Sequence, residues 1–541
     1  MMLRYDTLGT DVVRRRYWSG WGELLCCLAL MGCVAACGND DDSSGANPTP
    51  TQTGGPTPTA TPCQADASWV ENPRVRTEVP NGGGTSFCDF HRFAWEDFLA
   101  LVEPDRGGLF FDSYMPKAGV FDPSSLDPEQ GDEPFAYGTE LPIPPGCPPS
   151  EARFRALAPI VDKGDPSLGS VEEAGSNAAP LTDQNGSWMH YGIALNDTAY
   201  DFLTECQLYK IGCFDQGVGG EDVRFPDQSI VIKTAWMEVD EDTVDRSRFY
   251  VTKALVDPTG PTPDEQNCQE VTVALVGFHI MHKTPRHPEW IWSTFEHEDN
   301  VPDCSNPDGA PPGGGSWHFN DPDCGGGSAC TENVYQSPCS SQECPASDFQ
   351  SYMCGLDLET TCADVASCDP TTPCQNCYDV SCTEAPIPSQ ICRNFPSGWT
   401  LTRNESDDDL PAVDPQYTSL NQSVRSILAD NESVWQHYNL IGTLWCTPPD
   451  GNAPGGMQCS RTGVLATADQ VGQLQLSNSA MESYNQRLNC FSCHNGAQAP
   501  AEDAFPQADF SHLFADMVTA GNCDEGIPEF CPEGAPDGPT Q

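Results

Sequence analysis

Basic residues are scarce in this chain: 25 Lys and Arg face 79 Asp and Glu in 541 residues, a formal net charge of −54. The resulting field repels phosphate backbones and excludes nucleic acid as a partner. The acidic runs, such as Asp240-Glu241-Asp242, lack the Asx-x-Asx-x-Asx-Gly spacing of a calcium loop and read as solvated faces. Glycine (48) and proline (49) stay below the level of a disordered low-complexity chain, so a loop-rich globular protein is expected. Cysteine is the opposite case: 28 thiols in one chain would be a reactive burden in a reducing compartment, and their number points outside the cytoplasm.

The start of the chain has the layout of an export signal. Arg4 and Arg14-Arg15-Arg16 precede the apolar run Leu24–Ala36, which is too short to span a bilayer comfortably. Val13 and Tyr17 fit a twin-arginine signal poorly. The run ends in Val34-Ala35-Ala36-Cys37-Gly38, which resembles the lipobox of bacterial lipoproteins. That resemblance implies removal of residues 1–36, lipidation of Cys37 and, from Gly38, an outer-membrane destination. An ordinary signal peptide cut near Ala36 is the alternative. Residues 37–66, rich in Asp, Pro and Thr, read as a stiff, solvated tether.

The body reads as α+β and multidomain. Phe87–Val102 carries apolar residues at helical spacing and is stopped by Pro104. Residues 229–239, 248–256, 270–282 and 291–297 are rich in β-branched and aromatic residues and read as strands of an antiparallel sheet or sandwich, giving a mainly β domain at 67–303. Residues 304–392 hold 12 cysteines and few aliphatics, so 304–395 is expected to be a segment where disulfides replace a core. Leu420–Leu444 and Leu474–Leu488 suggest helices, making 396–541 a mostly α segment. Setting aside the four cysteines up to Cys37 and the pair Cys490 and Cys493 leaves 22, enough for eleven disulfides without a remainder.

One motif carries chemistry: Cys490-Phe491-Ser492-Cys493-His494. Residues three and four apart share one face of a helical turn, so two thiols can add across the vinyl groups of one haem while His494 presents its imidazole to the iron. By composition alone C-x-x-C-H is expected about 0.03 times in this chain, a bare C-x-x-C about 1.4 times. The bare pair Cys374-Gln375-Asn376-Cys377 reads as disulfide material. For the second axial position the downstream candidates are Met517 and His512. A methionine there would raise the potential and close the iron, whereas an open position would permit ligand binding or peroxidase-like chemistry. Met481 reads as core.

Four of the ten histidines, His279, His282, His287 and His297, lie with Glu296 in one short stretch. On a strand His279 and His282 face opposite ways, which denies them a shared metal. The group reads as structural or haem-contacting polar residues, with a second metal or catalytic site as the sharper alternative.

The blocks FAWEDFLALVEP (93–104), SIVIKTAWMEV (229–239), VGFHIMHKTPRHPEWIWSTFEHEDNVP (276–302), SAMESYNQRLNCFSCHNGA (479–497) and ADFSHLFADM (508–517) resemble a family of exported bacterial cytochrome c family proteins. Its members carry a single haem motif near the C-terminus. The resemblance spans about half the chain and implies haem thioethers at Cys490 and Cys493 with an axial His494. It says nothing comparable of Met517. The long cysteine-rich insertion and Val102-Glu103, where an Asn-Trp pair is commoner, depart from the family. The expected function is a lipid-anchored monohaem c-type cytochrome, with covalent heme c, that exchanges single electrons with a redox partner protein or a small donor or acceptor. The acidic surface suggests basic partners. A haem enzyme with an open distal side and a non-redox surface lipoprotein that binds a partner are the two alternatives.

Overall fold

The structure, a computed structural model, describes residues 62–82, 86–105, 107–145, 147–148, 155–157, 181–215, 223–256, 268–324, 332–333, 387–400, 412–446, 470–473, 475–486, 490–494, 497, 509, 511, 513–514, 523 and 531. Its centre is a nine-stranded sheet built from β1 (Met115–Pro116), β2 (Arg155–Leu157), β3 (Met189–Leu195), β4 (Ile230–Glu238), β5 (Val251–Val256), β6 (Gln269–Thr284), β7 (His287–His297), β8 (Tyr438–Cys446) and β9 (Gln470–Gly472). The order is β9-β8-β7-β6-β4-β3-β1. The long β6 also pairs with β5 near its start, and β5 carries β2 in the one parallel pairing. All other pairings in this sheet are antiparallel, as the clustered strand signals predicted. Strands from either side of the cysteine-rich segment thus share one sheet.

Helix α1 (Phe87–Leu101) begins at Ser86, whose hydroxyl accepts from the Asp89 amide and so satisfies one of the unpaired first-turn donors. Nearly every residue from Phe90 onward is buried, because the helix lies between the sheet and α3 (Pro415–Asp430). Phe98 stacks on Phe295 with ring centroids 4.1 Å apart, and Trp95 donates its indole N–H to Asn421 Oδ1 at 2.8 Å. Each such side chain, fully buried, contributes about 1.5–3 kcal/mol. The opposite sheet face is covered by α2 (Asp197–Glu205) and by segments from the end of the chain, including Leu476, Phe491 and Phe514.

The expectation of a mostly α segment after 396 is not supported. Among the described residues α3 stops at Asp430, Glu432 adopts φ 54°, and Tyr438–Cys446 is a strand on β7, not the continuation of a helix through Leu444. A short apolar run fits both periods, and here cross-strand pairing decided. Residues 475–486, expected to be helical, form turns along the sheet.

Disulfides Cys63–Cys88, Cys147–Cys268, Cys206–Cys531, Cys213–Cys523 and Cys304–Cys392 mark an oxidising, extracytoplasmic setting. Among the described residues no helix is long and apolar enough to cross a membrane.

Candidate functional site

The C-x-x-C-H motif forms a single helical turn, α4 (Cys490–His494). At about 100° per residue, Cys490, Cys493 and His494 share one side of the turn, while Phe491 lies away from it. Phe491 is fully buried. Its ring meets Trp292 of β7 edge to face at 5.8 Å, and the His494 ring lies 4.6 Å from the same indole. Phe491 therefore anchors the turn, with Cys490 and His494 only partly covered. Cys493 is described by its backbone alone.

Two observations bear on whether a haem fits. Trp292 Nε1 is buried and has no hydrogen-bond acceptor among the described residues, and such a donor is costly to leave unmade. A haem carries carboxylates that can supply the missing acceptor. The second observation is register: Met281 of β6 is the cross-strand partner of Trp292, so the two side chains share the face that meets α4.

The segment leading to this turn is fixed to β7. Asn478 Nδ2 donates to Thr294 Oγ1 at 2.8 Å and to the Phe295 carbonyl at 3.0 Å. Glu296 accepts from the Ser479 amide at 2.7 Å and from its hydroxyl at 2.5 Å, and pairs with buried Arg393. The absence of a side chain at Gly277 permits this approach, since a Cβ there would stand 3.1 Å from Asn478 Oδ1 and 3.2 Å from Met481 Cε. Further along, buried Asp509 pairs with Lys283 and accepts from the Phe225 amide at 2.8 Å. Burial pushes the Asp509 carboxyl up, against the pull of Lys283.

His279 and His282 do face opposite sides. His279 Nε2 meets Glu482 Oε1 at 3.1 Å, whereas His282 Nδ1 meets Asp97 Oδ2 of α1 at 2.6 Å. His287 packs against Phe90. His297, at the end of β7, belongs to a different group with His318, His437, Glu298 and Asp299. Glu298 binds Arg248 at 2.9 Å and His437 at 2.8 Å, and also pairs with Arg425. Burial alone would raise the Glu298 carboxyl, but the hydrogen bond from His437 and the guanidinium groups of Arg425 and Arg248 hold it below its ordinary value. Burial pushes His297 well down and His318 down to about 3, with Arg248 adding to both. A cavity of about 230 Å³ adjoins the group, lined among others by His297, Glu298, Trp317, Arg393 and Asn439.

Cys37, Met517, His512, Cys374 and Cys377 lie outside the described residues. Met481 is core, as expected, and Asp240-Glu241-Asp242 is exposed. Trp292, Met281 and the His297–His318 pairing were not singled out from the sequence. Trp292 and Met281 carried no signal beyond ordinary strand alternation, and His318 is separated from His297 by a loop of Pro, Gly and Asp. No protein-family model, curated protein or solved structure matches this chain.

Proposed function

We propose that the chain is an extracytoplasmic, lipid-anchored monohaem c-type cytochrome that carries single electrons, a member of the exported cytochrome c family it resembles. The observation that carries this reading is the docking of the C-x-x-C-H turn: Phe491 is buried, His494 lies against Trp292, and the two cysteines and the histidine share one side of the helix. When bound, the haem supplies the one-electron ferric/ferrous couple. Cys490 and Cys493 would hold it by thioether bonds and His494 would be an iron ligand. The wall formed by Phe491, Trp292 and Leu476 excludes water from that side and so limits the reorganisation that accompanies electron transfer. Met517 would supply the second iron ligand in this reading. Cys37 holds the lipid, and the −54 net charge selects basic redox partners.

The test is the alkaline pyridine spectrum of protein made in a host with cytochrome c maturation machinery. A reduced spectrum of thioether-linked haem, lost when Cys490 and Cys493 are both changed to alanine, is expected. Colourless protein without the haem mass increment overturns the reading. Carbon monoxide binding to the ferrous protein would favour an enzyme with an open distal side over an electron carrier. Metabolic labelling with palmitate, abolished in Cys37→Ala, checks the anchor.

A further inference from the structure

We infer that His297, Asp299 and His318 form a second, haem-independent site for one divalent transition-metal ion of the zinc class. One candidate ligand atom from each of the three residues lies within 4.8 Å of those of the other two. The backbone creates this proximity: the His318 amide donates to the Asp299 carbonyl at 3.0 Å and the Phe319 amide to the Asn300 carbonyl at 3.1 Å. These two bonds fasten residues 318–319 alongside the chain that leaves β7.

The hydrogen bonds of the two imidazoles identify the nitrogens that keep a lone pair. His297 Nε2 lies 3.2 Å from the Arg248 carbonyl. A carbonyl only accepts, so Nε2 bears the proton and Nδ1 the lone pair. His318 Nδ1 lies 3.1 Å from Asn300 Oδ1. The Asn300 amide is oriented by its Nδ2, which donates to the Val276 carbonyl at 2.9 Å, so Oδ1 is the acceptor and His318 Nε2 keeps the lone pair. Both histidines therefore donate their other ring N–H to an oxygen, the outer arrangement that fixes metal-binding imidazoles. Asp299 is similarly held, with Oδ1 accepting from the Gly313 amide at 2.9 Å and Oδ2 from Arg248 at 2.6 Å. Each carboxylate oxygen retains a further lone pair.

Two imidazoles and one carboxylate suit zinc and its neighbours, whereas calcium and magnesium take oxygen sets. Three protein ligands leave one position of a tetrahedron for water or a small anion, and a cavity adjoins the site at His297. On loading, the long Asp299 amide to His297 Nδ1 contact of 3.2 Å is given up. Arg248 weakens the site electrostatically, although Glu298 shares that guanidinium. The other group of potential ligands, Cys304, Glu332 and Cys392, is disqualified because its two cysteines form a disulfide.

The experiment is titration of chelator-treated, full-length protein with Zn²⁺ by calorimetry. One equivalent is expected to bind, with affinity falling at least about tenfold in His318→Gln and in Asp299→Asn and unchanged in His437→Gln, which alters a neighbouring ring outside the ligand set. Failure to bind one equivalent, or equal affinity in His318→Gln, overturns the inference. X-ray absorption at the zinc edge of the unaltered protein decides the matter independently of variant folding: two imidazoles in the coordination shell are expected, and fewer than two refute the site. Neither readout depends on haem attachment, so the two proposals fail separately.

Discussion

Removal of Glu296 alone leaves Arg393 as a buried, unpaired cation and strips the Ser479 amide and hydroxyl of their shared acceptor. Breaking a buried ion pair from one side costs about 3–5 kcal/mol, and each orphaned donor adds about 1–3 kcal/mol. Glu296→Leu should therefore destabilise by at least about 5 kcal/mol, a large part of the stability of an ordinary domain. Arg393→Met alone should cost about 3–5 kcal/mol, because the carboxylate is left behind. In Glu296→Leu/Arg393→Met neither charge of the pair remains and only the two Ser479 donors are unsatisfied, so the loss should shrink to about 2–6 kcal/mol, well below the sum of the single losses. Urea denaturation of the four proteins measures the cycle. Additive losses, or single variants that cost less than about 1 kcal/mol each, would refute the assignment of this pair as the clamp on residues 478–486. Because that segment precedes Cys490, the single variants should also, if the proposed haem is bound, carry it on a smaller fraction of chains, read as mass increment.

Other consequences are open to simple measurements. The Glu482 carboxyl is raised by burial but lowered further by His279 and Lys233, so its native value lies below the ordinary 4.5. Such a group stabilises the fold above pH 4.5, and this contribution disappears as pH falls through the depressed native value. Glu482→Gln should flatten the stability profile below pH 4.5, and profiles that stay parallel to the parent would sink the argument. Phe98→Ala, at a fully buried ring between α1 and the sheet, should cost about 3–5 kcal/mol in the same urea assay, and a loss below 1 kcal/mol would contradict the packing. Loss of the Cys206–Cys531 bridge should cost about 3 kcal/mol by the loop-entropy argument, because the neighbouring Cys213–Cys523 bridge leaves a loop of only about 15 residues for it to close. The double alanine variant checks it, and an unchanged denaturation midpoint would count against that pairing. If the proposed haem is bound, Met517→Leu should abolish the methionine–iron charge-transfer band, and a band that survives would refute Met517 as a ligand.

The sequence alone determined the elements whose local code is unambiguous. Helix α1 has an apolar period and a Pro104 stop, and the strands β4, β6 and β7 have dense β-branched and aromatic runs. It also supplies the C-x-x-C-H motif at 490–494 on which the proposed haem attachment rests, because those residues are adjacent in the chain. Tertiary structure decided what depends on neighbours distant in the chain. The run Tyr438–Cys446 became a strand because β7 offered an edge to pair with. Residues 475–486 stayed in turns because Thr294 and Glu296 satisfied their polar groups along the sheet. The same holds for Trp292 beneath His494 and for His318 beside His297: their meeting is set by strand register and two loop hydrogen bonds, which no local periodicity records.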